Sequence, residues 1–176
     1  MKSATSKTIL TIMNILFWTV FIGLCIETGA ILFNYLFSLF INENATFKLY
    51  KTLNLNTLFN KDIIQYHIIT LSYITISGLK AYIAYKVVKL FTILKLEKPF
   101  TAETTKFVFD ISYWTLTAGI FAIFAKANAK WVSKSIQEIP IDYNGNEIVF
   151  FAGLIYIIAI IMQKGTEIQE ENDLTV

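Results

Sequence analysis

Long apolar blocks alternate with short polar segments along this chain. The first block runs from Thr8 to Ile41 and holds one acidic residue, Glu27. A helix needs about 20 mainly apolar residues to cross a bilayer, and the pattern predicts four such spans, at about residues 9–36, 66–94, 107–127 and 148–164. The predicted fold is therefore an all-α, four-helix membrane bundle. It forms a single domain over residues 1–176, with a tail at residues 165–176.

The composition agrees with a bilayer environment. Hydrophobic residues make up 55% of the chain and charged residues 16%, whereas soluble domains are about a quarter charged. Mean hydropathy is +0.56. The net charge of +2 is too small to favour direct nucleic-acid binding. The apolar run after Lys2 and Lys7 is far longer than the about 7–15 residues of a signal-peptide core, which predicts an uncleaved anchor.

Two short segments predict where helices begin and end. Pro99 lacks an N–H and restrains the residue before it, so the second span should stop near Glu97. Thr101 is then a natural N-cap for the third helix. Asn144-Gly145 is a turn signal, and it predicts a small extracytoplasmic hairpin between the third and fourth spans.

Four spans place both termini on one side of the membrane, together with the loop between the second and third spans. The lysines on that side are Lys2, Lys7, Lys86, Lys89, Lys95, Lys98, Lys106 and Lys164. Those on the opposite side are Lys48, Lys51, Lys61, Lys126, Lys130 and Lys134. The positive-inside rule therefore predicts cytoplasmic termini. Lys86, Lys89, Lys95 and Lys98 are predicted to contact anionic lipid headgroups.

Glu27 and Lys80 each lie near the middle of an apolar span. An ionised group at the bilayer centre costs about 2.5–3.5 kcal/mol on insertion scales, so such groups face protein and pair. Consecutive helices usually pack side by side, and an ion pair between Glu27 and Lys80 is the first interpretation. Two separately solvated charges, or a working proton or ion site, remain open alternatives. Asp110 lies one turn after Lys106, and a local pair is expected there.

Small and polar residues recur at three- and four-residue steps in each span, which predicts a partly polar core. These residues are Gly23, Glu27, Ala30 and Asn34 in the first span, then Tyr66, Thr70, Tyr73, Ser77, Lys80 and Ala84 in the second. They are Asp110, Tyr113 and Thr117 in the third, then Ala152, Tyr156, Ala159 and Gln163 in the fourth. The predicted intramembrane site comprises Glu27, Lys80, Tyr73, Ser77, Asn34 and Tyr113.

Several kinds of chemistry are disfavoured by residue counts. Cys25 is the one cysteine and His67 the one histidine, so neither an internal disulfide nor a paired-histidine haem or metal site can form within one chain. His67 is expected to be an interfacial, hydrogen-bonded histidine. No nucleophile–base constellation stands out. Catalytic residues, metal ligands and cofactors are therefore not predicted, and the chain is predicted not to be an enzyme.

The segment Lys98-Pro99-Phe100-Thr101 and the C-terminal sequence GTEIQEENDLTV, Gly165 to Val176, resemble an uncharacterised family of small bacterial four-span membrane proteins. Members typically carry a Pro-Phe-(Thr/Ser) turn before the third span and a similar acidic tail, in which Ile168 here replaces the usual leucine. The resemblance implies a multi-pass protein of the bacterial inner membrane. It also points to a cytoplasmic helix-turn-helix regulator as partner, and it carries over no catalytic residue.

Two functions of different class follow from these observations. In the first, a non-enzymatic regulatory or sensory membrane protein docks a cytoplasmic partner through its acidic tail. The predicted binding residues are Gly165, Glu167, Glu170, Glu171, Asn172, Asp173 and Leu174. In the second, a small transporter or channel subunit uses Glu27 as an intramembrane proton or cation site. A homo-oligomer is compatible with both.

Overall fold

The computed structural model describes residues 2–51, 53–94 and 98–174, with side chains described from residue 7 to residue 172 within those ranges. The elements are α1 (Lys2–Phe40), a 3₁₀ helix (Glu43–Lys48), α2 (Asn56–Lys61), α3 (Ile63–Ile93), α4 (Ala102–Ser135) and α5 (Gly145–Leu174). The described ranges contain isolated bridge residues but no strand.

Four helices are long and apolar enough to cross a membrane. They cover Lys7–Phe40, Ile63–Ile93, Ala102–Ser135 and Gly145–Asn172, with mean hydropathies between 1.2 and 2.3. In hydrocarbon a helix pairs all of its internal backbone groups without water, which explains why the apolar blocks are helical. The predicted all-α, four-helix class is confirmed. The segment predicted as a tail forms the last turns of α5.

The long helices pack in chain order, each antiparallel to the next. α1 contacts α3, α3 contacts α4, and α4 contacts α5. No described Cα of α1 lies within 8 Å of a described Cα of α5, so the row of helices does not close and a groove remains between α1 and α5. We call the end with residues 41–62 and 136–144 the loop end. The opposite end, where α1 starts and α5 finishes, is the terminal end.

The contact between α4 and α5 depends on small residues. α4 buries Ala118, Gly119, Ala122 and Ala125 within its length. A Cβ atom added to Gly119 would lie 2.7 Å from Cγ2 of Val149 and 2.9 Å from the backbone nitrogen of Val149. Small side chains let helix backbones approach closely where lipid supplies no hydrophobic drive between helices. The two helices therefore touch almost backbone to backbone at Gly119.

Exposed lysines limit the apolar surface of α4. Lys106 and Lys126 are exposed and lie twenty residues apart, or about 30 Å along a helix, which matches the hydrocarbon thickness of a bilayer. The large hydrophobic side chains exposed between them on α4 are Tyr113, Trp114, Leu116, Ile120, Phe121, Ile123 and Phe124. Lys89 and Lys164 are also exposed near the level of Lys106. We call the part of the bundle between these levels the membrane belt.

The loop end is closed by a small apolar core. Leu49, Leu55 and Leu58 of the loop are fully buried, as is Tyr66 of α3, and their cluster continues into the belt through Ile31. Burying each such side chain is worth about 1.5–3 kcal/mol. This burial explains why the segment between α1 and α3 folds onto the helix ends.

The predicted hairpin at Asn144-Gly145 is wrong. Residues 136–144 contain no strand, and α5 begins at Gly145. Ile139 and Tyr143 bury their side chains in the loop-end core, so this segment is held by burial instead of strand pairing. The turn itself is present, since Asn144 has a φ of 51°, in the left-handed region that asparagine tolerates. A Cβ at Gly145 would lie 2.7 Å from the backbone nitrogen of Ile123.

The start of α4 follows its sequence signal. Thr101 accepts a hydrogen bond from the backbone N–H of Thr104 at 3.1 Å, so the predicted N-cap is confirmed. Glu103 lies in the first turn, where a carboxylate is favoured by the helix dipole. α3 ends at Ile93, and Glu97, the predicted end, lies outside the described residues.

Candidate functional site

Polar side chains join α1 and α3 inside the membrane belt. The hydroxyl of Tyr73 donates to Oε1 of Glu27 at 2.9 Å. The hydroxyls of Thr28 and Ser77 are hydrogen-bonded at 2.8 Å, and Ser77 is buried. Three of the predicted site residues, Glu27, Tyr73 and Ser77, therefore meet at one helix interface.

The depth of these groups follows from two contacts near the loop-side limit of the belt. In the first, Asn128, two residues after Lys126, donates to Gln65 at 3.2 Å. In the second, Tyr35 contacts His67. Their hydroxyl and Nδ1 atoms lie 2.9 Å apart, so His67 is the hydrogen-bonded histidine that the sequence predicts. Glu27 lies eight residues before Tyr35, about 12 Å further into the belt. Lys80 lies thirteen residues after His67, or about 20 Å. The carboxylate of Glu27 is thus in the loop-side half of the belt, and Lys80 is near its middle.

The predicted ion pair between Glu27 and Lys80 does not form. The ion pairs among the described residues do not include these two side chains, and Glu27 is instead bound by Tyr73. Helix level is not the reason, because Thr28 lies opposite Ser77 and Glu27 and Lys80 then differ by about two residues, or about 3 Å, along the axis. The two side chains have different surroundings: Glu27 meets Tyr73, whereas Lys80 lines the groove between α1 and α5.

A cavity of about 190 Å³ lies at the loop end next to Tyr73. Its lining residues are Tyr50, Lys51, Leu53, Tyr73, Pro140, Ile141 and Asp142. A water molecule occupies about 30 Å³ in the liquid, so the cavity has room for several. Because Tyr73 both lines this cavity and binds Glu27, a single side chain links the cavity to the intramembrane carboxylate.

Asp142 gives this cavity one of its charges, and the next residue, Tyr143, is buried. The backbone N–H of Asn144 and the ammonium of Lys126 both donate to Oδ1 of Asp142, at 3.1 and 3.0 Å. These contacts lower the pKa of Asp142, so it is a carboxylate at neutral pH. Tyr143 is 1% exposed. Its hydroxyl has no hydrogen-bond partner among the described residues, and burial raises its pKa.

Two predicted site residues lie elsewhere. The amide of Asn34 donates to the backbone oxygen of Leu49 at 2.8 Å, so Asn34 fastens the loop to α1 instead of lining the polar core. Tyr113 is 53% exposed and stacks on Phe109, with ring centroids 6.2 Å apart. The buried face of α4 carries Ser112 and small residues. Aromatic rings are well solvated by lipid, whereas small residues allow close helix packing.

At the terminal end Lys86 and Asp110 form an ion pair that links α3 to α4. The ammonium of Lys86 also lies 5.4 Å from the ring centroid of Tyr82 and 5.2 Å from that of Phe107, positions that allow cation–π attraction. The expected local pair between Asp110 and Lys106 is therefore wrong, because Asp110 turns toward α3. Local spacing on one helix could not reveal this partner.

Two of the other lysines predicted to contact lipid, Lys89 and Lys98, lie near the terminal limit of the membrane belt. Lys89 and Lys98 are exposed at the terminal end. Lys95 lies outside the described residues. Contact of these side chains with anionic headgroups stays a prediction.

The two segments that carry the family resemblance meet at the terminal end. A Cβ on Gly165 would lie 2.9 Å from Cδ1 of Phe100, so only a residue without a side chain permits this approach. One residue further, the hydroxyls of Thr166 and Thr105 are hydrogen-bonded at 3.0 Å and both side chains are buried. These contacts fix the end of α5 to the start of α4.

Beyond this anchor the acidic residues of α5 face outward. Glu167 pairs with Lys164 at 2.6 Å, and Glu170, Glu171 and Asn172 are exposed. The side chains of Asp173 and Leu174 lie outside the described residues. The predicted tail is thus an ordered acidic helix end as far as its side chains are described.

Sequence reasoning missed three residues of the loop-side site: Thr28, Asp142 and Tyr143. Thr28 adjoins Glu27 and faces a hydroxyl on α3, so a search for hydroxyl pairs between spans could have found it. Asp142 and Tyr143 lie in an irregular connection, where no periodicity indicates which side chains turn inward.

Four helices that can span a bilayer, with lysines at both limits of the apolar surface of α4, define a multi-pass membrane protein. No family model, no curated protein and no solved structure matches the chain. Within the described residues, no three His, Cys, Asp or Glu side chains are grouped so that they could hold a metal ion.

Proposed function

We propose that this chain is a non-enzymatic, multi-pass protein of the bacterial inner membrane that acts as a regulatory or sensory partner of a cytoplasmic protein. The observation that supports this proposal is the end of α5. Gly165 and Thr166 hold it against the start of α4, yet Glu170 and Glu171 are exposed. A preorganised helix end binds a partner without a large cost for ordering the chain.

The chemistry of this end favours a basic partner. A shallow cavity of about 400 Å³ lies between α4 and α5, with Lys106 and Phe109 on one side and Glu167 and Glu170 on the other. The two carboxylates outnumber the one ammonium, so the cavity favours a lysine or arginine side chain that packs on Phe109. DNA-binding regulators carry basic surfaces, so a helix-turn-helix regulator fits this end. The positive-inside rule supports a cytoplasmic location for it.

Truncation after Ile168 tests the docking proposal while leaving the anchor at Gly165 and Thr166 in place. A photo-crosslinking amino acid at position 163 (Gln163 is exposed) should capture one soluble protein in cells carrying the full chain. The truncation, and the double variant Glu170→Lys with Glu171→Lys, should remove that adduct. The matched control Glu138→Lys, an exposed acid at the loop end, should keep it. An adduct that survives the truncation would refute the proposal.

A second function is supported by the position of Tyr73 between the loop-end cavity and Glu27. In this alternative the chain is a transporter or channel subunit whose proton or cation site is Glu27. A carboxylate one side chain away from an aqueous cavity can exchange a proton or bind a cation, as intramembrane acids in transport pathways do.

Flux measurements in proteoliposomes separate the two functions. Glu27→Gln should abolish proton or cation flux if Glu27 is the coupling site, while Glu43→Gln, an exposed acid outside the belt, should leave flux unchanged. Glu27→Gln should have no effect on partner docking at the terminal end. Equal flux through the protein with and without Glu27 would remove the transport alternative.

A further inference from the structure

The open side of the bundle is a groove with one charged residue in it. It has a volume of about 250 Å³. Phe17, Val20 and Leu24 of α1 line one wall, Ile148 and Phe151 of α5 line the other, and Lys80 of α3 lies between them. Because α1 and α5 do not meet, hydrocarbon has access to this groove from the side.

The charge of Lys80 meets only the longer-range electrostatic field of Asp142 among the described residues. Its ammonium makes no hydrogen bond and no ion pair with the described residues, and its Cα lies near the middle of the membrane belt. A cation at this depth pairs with an anion or draws water inward. Lys80 is partly buried against apolar walls, so an anion that also fills the groove would satisfy both the charge and the surface.

None of the described acids in or next to the belt forms an ion pair with Lys80. Glu27 is bound by Tyr73, and Asp110 pairs with Lys86. Asp142 forms an ion pair with Lys126 at 3.0 Å. Lys80 affects Asp142 only through longer-range electrostatic attraction. Glu147 is exposed in the first turn of α5 and pairs with no described lysine. An acidic side chain could neutralise Lys80 but would not fill the apolar groove, whereas a free amphiphilic anion would do both.

We propose that the groove binds a single-chain fatty carboxylate, with its carboxylate on the ammonium of Lys80 and its chain along the walls of α1 and α5. Side chains of a helix lean toward its N-terminus, so Lys80 leans toward the loop end and the acyl chain runs from there past Leu24 to Phe17. A carboxylate is the smallest anionic headgroup of a lipid. A glycerophosphate headgroup would have to be drawn whole into the hydrocarbon layer to reach this depth.

Photoaffinity labelling of the full chain in nanodiscs of zwitterionic phospholipid tests the proposal. A palmitate with a mid-chain diazirine should label peptides of α1 and α5, and oleate should compete while oleyl alcohol, its neutral match, should not. Lys80→Met should weaken the oleate competition at least tenfold, which is about 1.4 kcal/mol, and Lys80→Arg should retain it. Lys89→Met, at an exposed lysine of the terminal end, should change nothing.

A second variant keeps the test informative if Lys80→Met does not fold. Val20 is half-exposed on the groove wall, and Val20→Trp should block labelling by filling the groove with Lys80 still present. Three results would overturn the proposal. The first is that oleate and oleyl alcohol compete equally well. The second is that an anionic phospholipid competes but oleate does not. The third is a cross-link across the groove to a helix of a second copy.

Discussion

The closest approach of two helices, at Gly119, predicts that a single methyl group will weaken the fold. In Gly119→Ala the new Cβ would lie 2.7 Å from Cγ2 of Val149 and 2.9 Å from the backbone nitrogen of that residue. Carbon atoms pack best at about 3.5–4.0 Å, so the helices must separate locally by about 1 Å. A rotamer change moves Cγ2 but not the backbone nitrogen, and only helix movement relieves the second contact.

The expected magnitude combines two opposing effects. Overpacking of a tight contact costs about 1–3 kcal/mol, and the better helix propensity of alanine returns about 1 kcal/mol. Because a backbone atom is involved, the cost should lie in the upper part of its range. The free energy of unfolding should therefore fall by about 1–2 kcal/mol.

Gly153 of α5 supplies the matched control. Nothing lies within 4 Å of a Cβ built there, so Gly153→Ala should be neutral or slightly stabilising. Steric trapping in detergent micelles measures the unfolding free energy of both variants. Equal stability of Gly119→Ala and Gly153→Ala would refute the close contact between α4 and α5.

Further variants test three other contacts. Lys86→Asp and Asp110→Lys should each destabilise the protein, and the double exchange should recover about 1 kcal/mol of stability. This coupling is small because Asp110 is 45% exposed. Additive losses in the same unfolding assay would contradict the pair. Asn34→Leu leaves the backbone oxygen of Leu49 without its donor and should cost about 1–3 kcal/mol, seen as faster proteolysis of residues 41–62 with normal membrane insertion. Gly165→Leu must displace the aromatic ring it packs on and should cost about 1–3 kcal/mol; an unchanged rate of proteolysis at the end of α5 would argue against the anchor.

The sequence allowed the helices, one cap and one inward stripe to be predicted. Thr101 caps α4 because its signal is local, a threonine after a proline turn. The second-span stripe from Tyr66 to Ala84 is the inward face of α3, where Tyr66, Thr70, Ser77 and Ala84 are buried. For α4 the stripe through Tyr113 was wrong, because a helix that is apolar all round carries little periodicity to reveal its inward face.

The partners of charged residues could not be predicted in the same way. Glu27 binds Tyr73 and Asp110 binds Lys86, across helix interfaces whose register no local pattern encodes. A shift of one turn, about 5.4 Å, is enough to exchange one partner for another. For Lys80 the sequence indicated only a cation in mid-span, and an anion beside it stays a proposal.

By itself the sequence determined that most of this chain lies in hydrocarbon. Four apolar segments of bilayer length become helices because hydrocarbon leaves backbone groups no other way to pair. Only the tertiary structure decided which helices touch, which acid each cation meets, and that α1 and α5 stay apart around Lys80. The reason is that transfer into lipid depends on the sum of many side chains, whereas a hydrogen bond depends on the positions of two atoms to within a few tenths of an ångström.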